Sequence, residues 1–203
     1  MLLFPFATFG NSIPIILCSM GFLRNPLIFL RVLEAVLEIT SYRFILFSAG
    51  YEPLDAAIQA IDTESSLCSD QKQYPKDGIL LFNGRLFCFA SGSTAAALRA
   101  GIPQILCPFM LDQFYWAERM FWLGVAPEPL QKNHLLPDKD DDMSTKQAAY
   151  VLSKAINSAL SPKIKARASE IAERISIEDG IREAVKILKE EIIHPSKIQD
   201  QTS

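Results

Sequence analysis

The sequence predicts an α/β protein with a parallel sheet and helices on both faces of that sheet, and three observations support this fold class. The chain has 203 residues, 49% of them hydrophobic, so it can bury a substantial core. Short apolar runs alternate with segments of helical spacing up to about residue 130, and helices finish the chain. Several of these runs are apolar at every position, which is typical of strands buried on both faces of a parallel sheet.

Strands are predicted at four apolar runs: Ile13–Cys18, Phe44–Phe47, Ile79–Phe82 and Gln104–Cys107. The third run is followed by Asn83-Gly84 and a further apolar segment, Leu86–Phe89. Because Asn-Gly between two such runs is a strong hairpin signal, we predict a hairpin there. The segment Val125–Leu130 contains two prolines and suits the edge of a sheet.

Helices are predicted where apolar residues recur at helical spacing or where strong helix formers cluster: residues 26–39, 51–61, 95–99, 112–123 and 144–160, a segment from Pro162, and residues 178–193. Asn25 suits the cap of the first helix and Pro26 its first position. Gly101 and Gly124 are expected to end the third and fourth helices. The spacing Ser144-x-x-Gln147 predicts a capping box at the start of the fifth.

Charge and cysteine content exclude several functional classes. The net charge is −3 and no Lys/Arg cluster is present, so no nucleic-acid partner is expected. The four cysteines have no C-x-x-C spacing, which argues against a disulfide scaffold and against a zinc site. Cys18, Cys88 and Cys107 each lie in an apolar run, as buried thiols in a reducing compartment do, and we therefore expect a cytoplasmic protein.

The first 23 residues carry no charged side chain, but their pattern does not predict a targeting signal. A secretory signal would begin with basic residues, and Pro5, Gly10 and Pro14 interrupt the apolar run before it reaches the ~18 residues of a membrane span. We therefore expect no transmembrane segment, and a ragged amino end over residues 1–12.

Candidate anion-binding residues follow two of the predicted strands, where ligands of α/β sheets bind. Ser19 is followed by Met20 and Gly21. A small hydroxyl residue followed by glycine permits close approach of the backbone to an anion, although most such loops are only turns. Gly92, Ser93 and Thr94 stand at a strand-to-helix junction. Free N–H groups and two hydroxyls there predict a phosphate cradle, and ordinary capping by Ser91 or Ser93 explains the same residues equally well.

Candidate sugar-binding residues follow the last predicted strand. Asp112 and Gln113 open a helix, where a carboxylate and an amide can bind neighbouring hydroxyls of one sugar, although aspartate is also favoured there without a ligand. The helix is rich in aromatic residues, which either line a pocket or belong to the core. His134 and His194 are expected to be solvated and to take no part in chemistry, and the acidic stretch 138–142 is expected to be a solvated loop.

Two segments of the chain form a specific block: Gly92–Gln104, and Pro108–Arg119 with Leu123-Gly124-Val125 after it. They resemble the donor-binding half of UDP-dependent glycosyltransferases of family 1, nearest to the sterol 3-beta-glucosyltransferase type of plants and fungi. The resemblance runs from about Ile13 to Leu160. It implies the carboxyl-terminal half of a GT-B fold, that is, one of two Rossmann-like domains that face a cleft.

The resemblance also implies roles for the candidate residues. Ser19, Gly92, Ser93 and Thr94 would lie by the diphosphate of a UDP-sugar, and Asp112 and Gln113 would bind the hexose hydroxyls. The implied reaction is transfer of a hexose, with glucose the expected sugar, to a sterol or similar lipid hydroxyl with inversion. No cofactor and no metal are implied, since the UDP-sugar is a co-substrate. Peripheral contact with a membrane is compatible with a lipid acceptor.

The sequence departs from the family pattern in front of this block. The family has a His-Gly-Gly run immediately before the Gly-Ser-Thr helix, whereas here Phe87–Ser91 runs straight into Gly92. The acceptor domain, which supplies the catalytic base, is also not recognised. We therefore expect an incomplete form with little or no activity alone, and the alternative is a donor-binding remnant that serves as an interaction or regulatory module. In that setting residues 86–90 either form the hairpin strand or replace the missing central strand.

The expected organisation has four parts: a ragged amino end over residues 1–12, a donor-binding domain over residues 13–160, carboxyl-terminal helices over residues 161–194, and a frayed tail over residues 195–203.

Overall fold

The computed structural model describes residues 2–6, 15–18, 25–47, 51–66, 79–82 and 90–190. Within these ranges the strands are β1 (Leu2–Phe6), β2 (Ile15–Cys18), β3 (Arg43–Phe47), β4 (Ile79–Phe82) and β5 (Gln104–Cys107). The helices are α1 (Pro26–Ile39), α2 (Glu52–Ser66), α3 (Ala90–Arg99), α4 (Gln113–Leu123), α5 (Asp142–Ala159), α6 (Pro162–Ser176) and α7 (Gly180–Leu188). A 3-10 turn lies at Lys132–His134. The chain is therefore an α/β protein.

The strands form one sheet in the order β4-β3-β1-β2-β5, and this sheet is mixed. β3 pairs with β4 and β2 pairs with β5 in parallel, whereas β1 runs antiparallel to both of its neighbours. The expectation of a parallel sheet is therefore wrong at the centre. Residues 7–14 separate β1 from β2, and this connection is too short for the crossover helix that a parallel pair requires.

Part of the segment that was expected to be a ragged amino end forms the central strand β1 instead. Pro5 lies within β1, where a proline removes one ladder hydrogen bond. The register shows how the proline fits: β2 pairs only with Leu2 and Leu3, and Pro5 lies opposite Phe44 of β3 on the other side. Pro5 therefore sits where β1 is paired on one side only.

Helices pack on both faces of the sheet at β5, because its successive side chains enter two separate apolar clusters. Ile105 and Cys107 belong to the larger cluster, which also holds buried residues of α1, α2 and α5. Leu106 belongs to the smaller cluster, with buried residues of α4 and α6. The segment expected at the sheet edge lies beside β5: Val125 accepts a hydrogen bond from the N–H of Gln104, and Leu130 donates one to Leu106.

Several predicted helix ends are confirmed, and one cap differs. Asn25 accepts from the N–H of Ile28 at the start of α1, and Gly124 ends α4 in the left-handed conformation with φ 77°. At α5 the cap is not Ser144 but Asp141, whose Oδ1 accepts from the N–H of Ser144 at 2.8 Å. A carboxylate is the stronger acceptor, so the helix begins earlier than the Ser-x-x-Gln spacing predicts. The predicted hairpin at residues 83–89 lies outside the described residues.

Candidate functional site

The carboxyl ends of β2 and β5 lie side by side at one edge of the sheet. These two strands are parallel neighbours, and Cys18 pairs with Cys107 at their last residues. The loops that follow them therefore start next to each other, which is the position where ligands of such sheets bind. Ser19 is the first residue after β2, but it lies outside the described residues.

The loop after β5 is held in shape by Gln113. The amide oxygen of Gln113 accepts hydrogen bonds from the backbone N–H groups of Phe109, at 2.8 Å, and Met110, at 3.3 Å. The turn also contains Leu111 in the left-handed region, with φ 52° and a side chain that is 80% exposed. Because both partners of Gln113 are donors, its oxygen must face the loop, and its NH2 group points to the opposite side.

Asp112 stands at the cap position of α4, but its carboxylate does not cap the helix. It makes no side-chain bond to the first N–H groups of α4. One oxygen, Oδ2, instead accepts from the indole N–H of Trp116 at 3.2 Å, one helical turn further on. Asp112 is exposed, and its other oxygen, Oδ1, has no partner among the described residues. Asp112 therefore makes no capping hydrogen bond, although its charge lies at the amino end of α4, where it is favoured without a ligand.

Three of the four candidate diphosphate residues, Gly92, Ser93 and Thr94, lie in the first half of α3. This helix begins at Ala90, so Ser91 and Ser93 lie within it and neither is its cap. Gly92 is exposed, and a Cβ atom built on it would have no neighbour within 4 Å. Thr94 is buried, at 5% exposure, and its carbonyl accepts from Nε2 of Gln104 at 3.3 Å. Of Ser93 only the backbone is described.

The helices α3 and α4 both direct their amino ends towards the same sheet edge. α4 begins at the carboxyl end of β5 and ends beside its amino end, where Gln104 bonds to Val125. α3 reaches β5 through a connection of four residues, 100–103, and packs on β2 and on α4. A helix joined so closely to the next strand runs back along the sheet, antiparallel to that strand. Residues 90–93 and 112–113 therefore start two neighbouring helices on one face.

The histidine among the described residues, His134, does not take a catalytic position at this edge of the sheet. His134 is half-buried in the 3-10 turn, where its Nδ1 accepts from the N–H of Gln131 at 3.0 Å. Contrary to the expectation of a solvated bystander, it has a structural role. Among the described residues no group of three His, Cys, Asp or Glu could hold a metal ion. No helix in the described part of the chain is both long enough and apolar enough to span a membrane.

The acidic stretch 138–142 is more ordered than expected and belongs to the opposite face. Asp140 forms a salt bridge with Arg31 of α1, with both carboxylate oxygens within 2.8 Å of one guanidinium nitrogen. Asp141 caps α5, and the hydrogen bonds from Ser144 lower the pKa of its carboxyl group. These two groups border a cavity of about 320 Å³ between α1 and the start of α5. The cavity is lined by acidic side chains together with Arg31 and Lys146, and it is separated from the α3–α4 face by the sheet.

The aromatic residues of α4 do not belong to the core, since their side chains are exposed. Only Ala117 and Met120 of this helix are buried. Trp116 is the residue that the sequence analysis missed, because it was grouped with the other aromatics. Its spacing of four residues from Asp112 on one helix face was the signal that could have identified the contact.

The chain is similar to glycosyltransferases over about half of its length, and no family model matches it. It is 34% identical over 103 residues to the terpene cyclase-glycosyl transferase fusion protein fsoA of Humicola fuscoatra, covering 50% of this chain and 8% of that protein. It is 29% identical over 118 residues to sterol 3-beta-glucosyltransferase UGT80B1 of Arabidopsis thaliana, covering 58% and 16%. It is 36% identical over 103 residues to sterol 3-beta-glucosyltransferase of Saccharomyces cerevisiae, covering 50% and 7%. The matched segments thus span a small part of these curated relatives.

Proposed function

We propose that this chain binds the nucleotide-sugar donor of a glycosyltransferase of the sterol-glucosyltransferase type. The hexose of a UDP-sugar, with glucose the expected sugar, lies against Asp112 and Gln113. The diphosphate lies at the start of α3 and beside the loop that begins with Ser19. Relatives whose names describe sterol glucosyltransferases support the class, and the sheet edge described above supports the placement.

Oδ1 of Asp112, which has no partner among the described residues, carries this proposal. Helix capping would use the carboxylate within the protein, but the structure turns it away from the helix N–H groups. The two consecutive residues thus offer one acceptor, Oδ1 of Asp112, and one donor, the NH2 group of Gln113. A pair of neighbouring sugar hydroxyls, each able to donate and to accept, matches one acceptor beside one donor.

The start of α3 supplies the complementary site for the diphosphate. The first N–H groups of a helix have no partner within it, and the helix dipole favours an anion there. Gly92 leaves open space at this point, so an anion can approach its backbone N–H group, which lies in the first turn of α3. Thr94 is buried against Gln104, so in this proposal it fastens the helix to β5 and does not reach the diphosphate with its side chain.

Transfer of the sugar to a sterol or similar lipid hydroxyl also requires a general base within reach of that hydroxyl. The histidine in the described part of the chain, His134, is engaged by Gln131. We therefore assign donor binding to this chain and expect little transfer by the chain alone. Incubation with radiolabelled UDP-glucose and a sterol tests this expectation, and rapid formation of steryl glucoside would contradict it.

Calorimetric titration with UDP-glucose and, separately, with UDP tests the assignment of the hexose site. We expect Asp112→Ala to weaken UDP-glucose about 10- to 100-fold, since a hydrogen bond to a charged group contributes about 1.5–3 kcal/mol, and to leave UDP unchanged. Gln113→Glu is the matched variant, because its carboxylate still accepts from the loop N–H groups but has no donor for a hydroxyl. Asp138→Asn, in an exposed loop, is the control.

The two ligands separate the outcomes. An equal loss of UDP and UDP-glucose on Asp112→Ala removes Asp112 from the hexose site. Failure of the unaltered chain to bind either ligand at millimolar concentration refutes donor binding itself.

A further inference from the structure

We propose that Trp116 is a positioning residue of the proposed hexose site. Its indole N–H holds the carboxylate of Asp112 in the orientation that presents Oδ1 to the sugar. The contact is a hydrogen bond from Nε1 of Trp116 to Oδ2 of Asp112, at 3.2 Å. This role rests on the proposed function, and Trp116 acts on the sugar only through Asp112.

The backbone of Asp112 does not place its side chain for capping. Capping residues usually have an extended backbone, from which the side-chain oxygen reaches the second or third N–H group of the helix. Asp112 has φ −68° and ψ −11°, which lie in the helical region, and it makes no capping bond. Side chains of a helix point back towards its amino end, so the side chain four residues further on, Trp116, extends towards Asp112.

The indole of Trp116 is itself held in place, as a positioning group must be. Trp116 is 36% exposed, the lowest value among the aromatic side chains of α4, whereas Trp122 is 70% exposed. Tyr115 meets the indole edge to face, with ring centroids 5.2 Å apart and an interplanar angle of 77°. The backbone N–H of Trp116 also donates to the carbonyl of Asp112 at 3.0 Å, so two hydrogen bonds join these residues.

Loss of the indole N–H should weaken the hexose site without removing it. The side chain of Asp112 is exposed, so without its donor it can rotate, and a ligand then has to order it on binding. Ordering one free side chain weakens binding about 2- to 12-fold. UDP has no hexose, so its affinity should not depend on the orientation of Asp112.

Calorimetric titration of the whole chain with UDP-glucose and with UDP tests this role through two complementary variants. Trp116→Phe keeps an aromatic ring but removes the donor, and it should weaken UDP-glucose about 3- to 10-fold and leave UDP unchanged. Trp116→Gln removes the ring but keeps a donor at the four-residue spacing, and it should stay within about 2-fold of the original chain. Trp122→Phe, the same change at an exposed position of the same helix, is the matched control and should alter neither Kd.

Two measurements separate positioning from direct contact with the sugar. In the Asp112→Ala background, Trp116→Phe should change the Kd of UDP-glucose by less than about 2-fold, because the carboxylate that it orients is absent. In NMR spectra without ligand, Asp112→Ala should shift the indole Nε1–H resonance of Trp116 and leave that of Trp122 in place. Circular dichroism and melting curves verify that each variant is folded.

The outcomes distinguish failure of this role from failure of the proposed function. An unaltered chain that does not bind UDP-glucose at millimolar concentration refutes the proposed function, and the role of Trp116 with it. An unaltered chain that binds, with no change on Trp116→Phe, overturns only the positioning role. So does an equal loss of UDP and UDP-glucose, a loss on Trp116→Gln as large as that on Trp116→Phe, or an indole resonance that Asp112→Ala leaves unmoved.

Discussion

Replacing Gly92 by alanine distinguishes the effect of this residue on the stability of the helix from its effect on ligand binding. Gly92 lies within α3, it has no positive φ, and a Cβ atom there would meet no atom within 4 Å. Alanine is favoured over glycine inside a helix by about 0.5–1 kcal/mol. We therefore expect Gly92→Ala to raise the free energy of unfolding by that amount, which corresponds to about 1–4 °C in Tm for a chain of this size.

The matched control is Gly101→Ala, at the other end of the same helix. Gly101 has φ +65°, and an added Cβ would lie 3.3 Å from the Cβ of Ala172 in α6. The left-handed conformation costs a non-glycine residue about 1–2 kcal/mol, so this variant should lower stability where Gly92→Ala raises it. Urea unfolding followed by circular dichroism at 222 nm measures both.

Gly92→Ala also tests the proposed anion site. If a diphosphate approaches the backbone at Gly92, a methyl group there obstructs it, and Gly92→Ala should weaken UDP while it stabilises the fold. If Gly92→Ala is more stable than the original chain and binds UDP with unchanged affinity, Gly92 is not part of the diphosphate site. A variant that is less stable than the original chain would refute the helical environment from which the magnitude was derived.

Three further predictions concern the scaffold. Leu33→Ala, at a fully buried position of α1, should lower the free energy of unfolding by about 2–5 kcal/mol in urea titration, and a change below 1 kcal/mol would mean that the cavity collapses. Arg167→Ala should cost about 1–3 kcal/mol, since it removes the hydrogen bond from Nε to the carbonyl of Leu123 and leaves that carbonyl without its donor. Asp141→Asn should lower Tm at neutral pH. Because the hydrogen bonds from Ser144 lower the pKa of Asp141, its stabilisation is present above the unfolded pKa of ~3.9 and is lost as pH falls through the folded value. The Tm difference between Asp141→Asn and the original chain should therefore shrink on acidification, and a difference that grows would contradict this.

Local signals were sufficient for most helix boundaries. Asn25 and Gly124 act through hydrogen bonds and backbone conformations within a few residues of themselves, so their roles are readable from neighbouring sequence. The cap of α5 was missed by three residues because two acceptors, Asp141 and Ser144, compete for the same helix start. The local sequence shows which residues can cap this helix but not which of them does.

The direction of the strands was not readable from the sequence. Apolar runs show that a strand is buried but not which strand lies beside it. The strand β1 was not predicted, and Pro5 is tolerated in it because only β3 pairs with that part of β1. That compensation comes from residues about 40 positions away in the sequence.

The sequence by itself determined which residue types stand at the end of β5: a carboxylate and an amide at the head of an aromatic-rich helix. Only the tertiary structure decided how these groups are used. The amide oxygen of Gln113 meets two loop N–H groups, and the carboxylate of Asp112 meets Trp116 instead of the helix start. Residue order sets which atoms are available for hydrogen bonding, whereas the partners depend on how the backbone turns at Leu111. The sequence alone also did not show that the aromatic residues of α4 are exposed. Their exposure follows from the tertiary structure, in which the sheet covers only one narrow side of the helix.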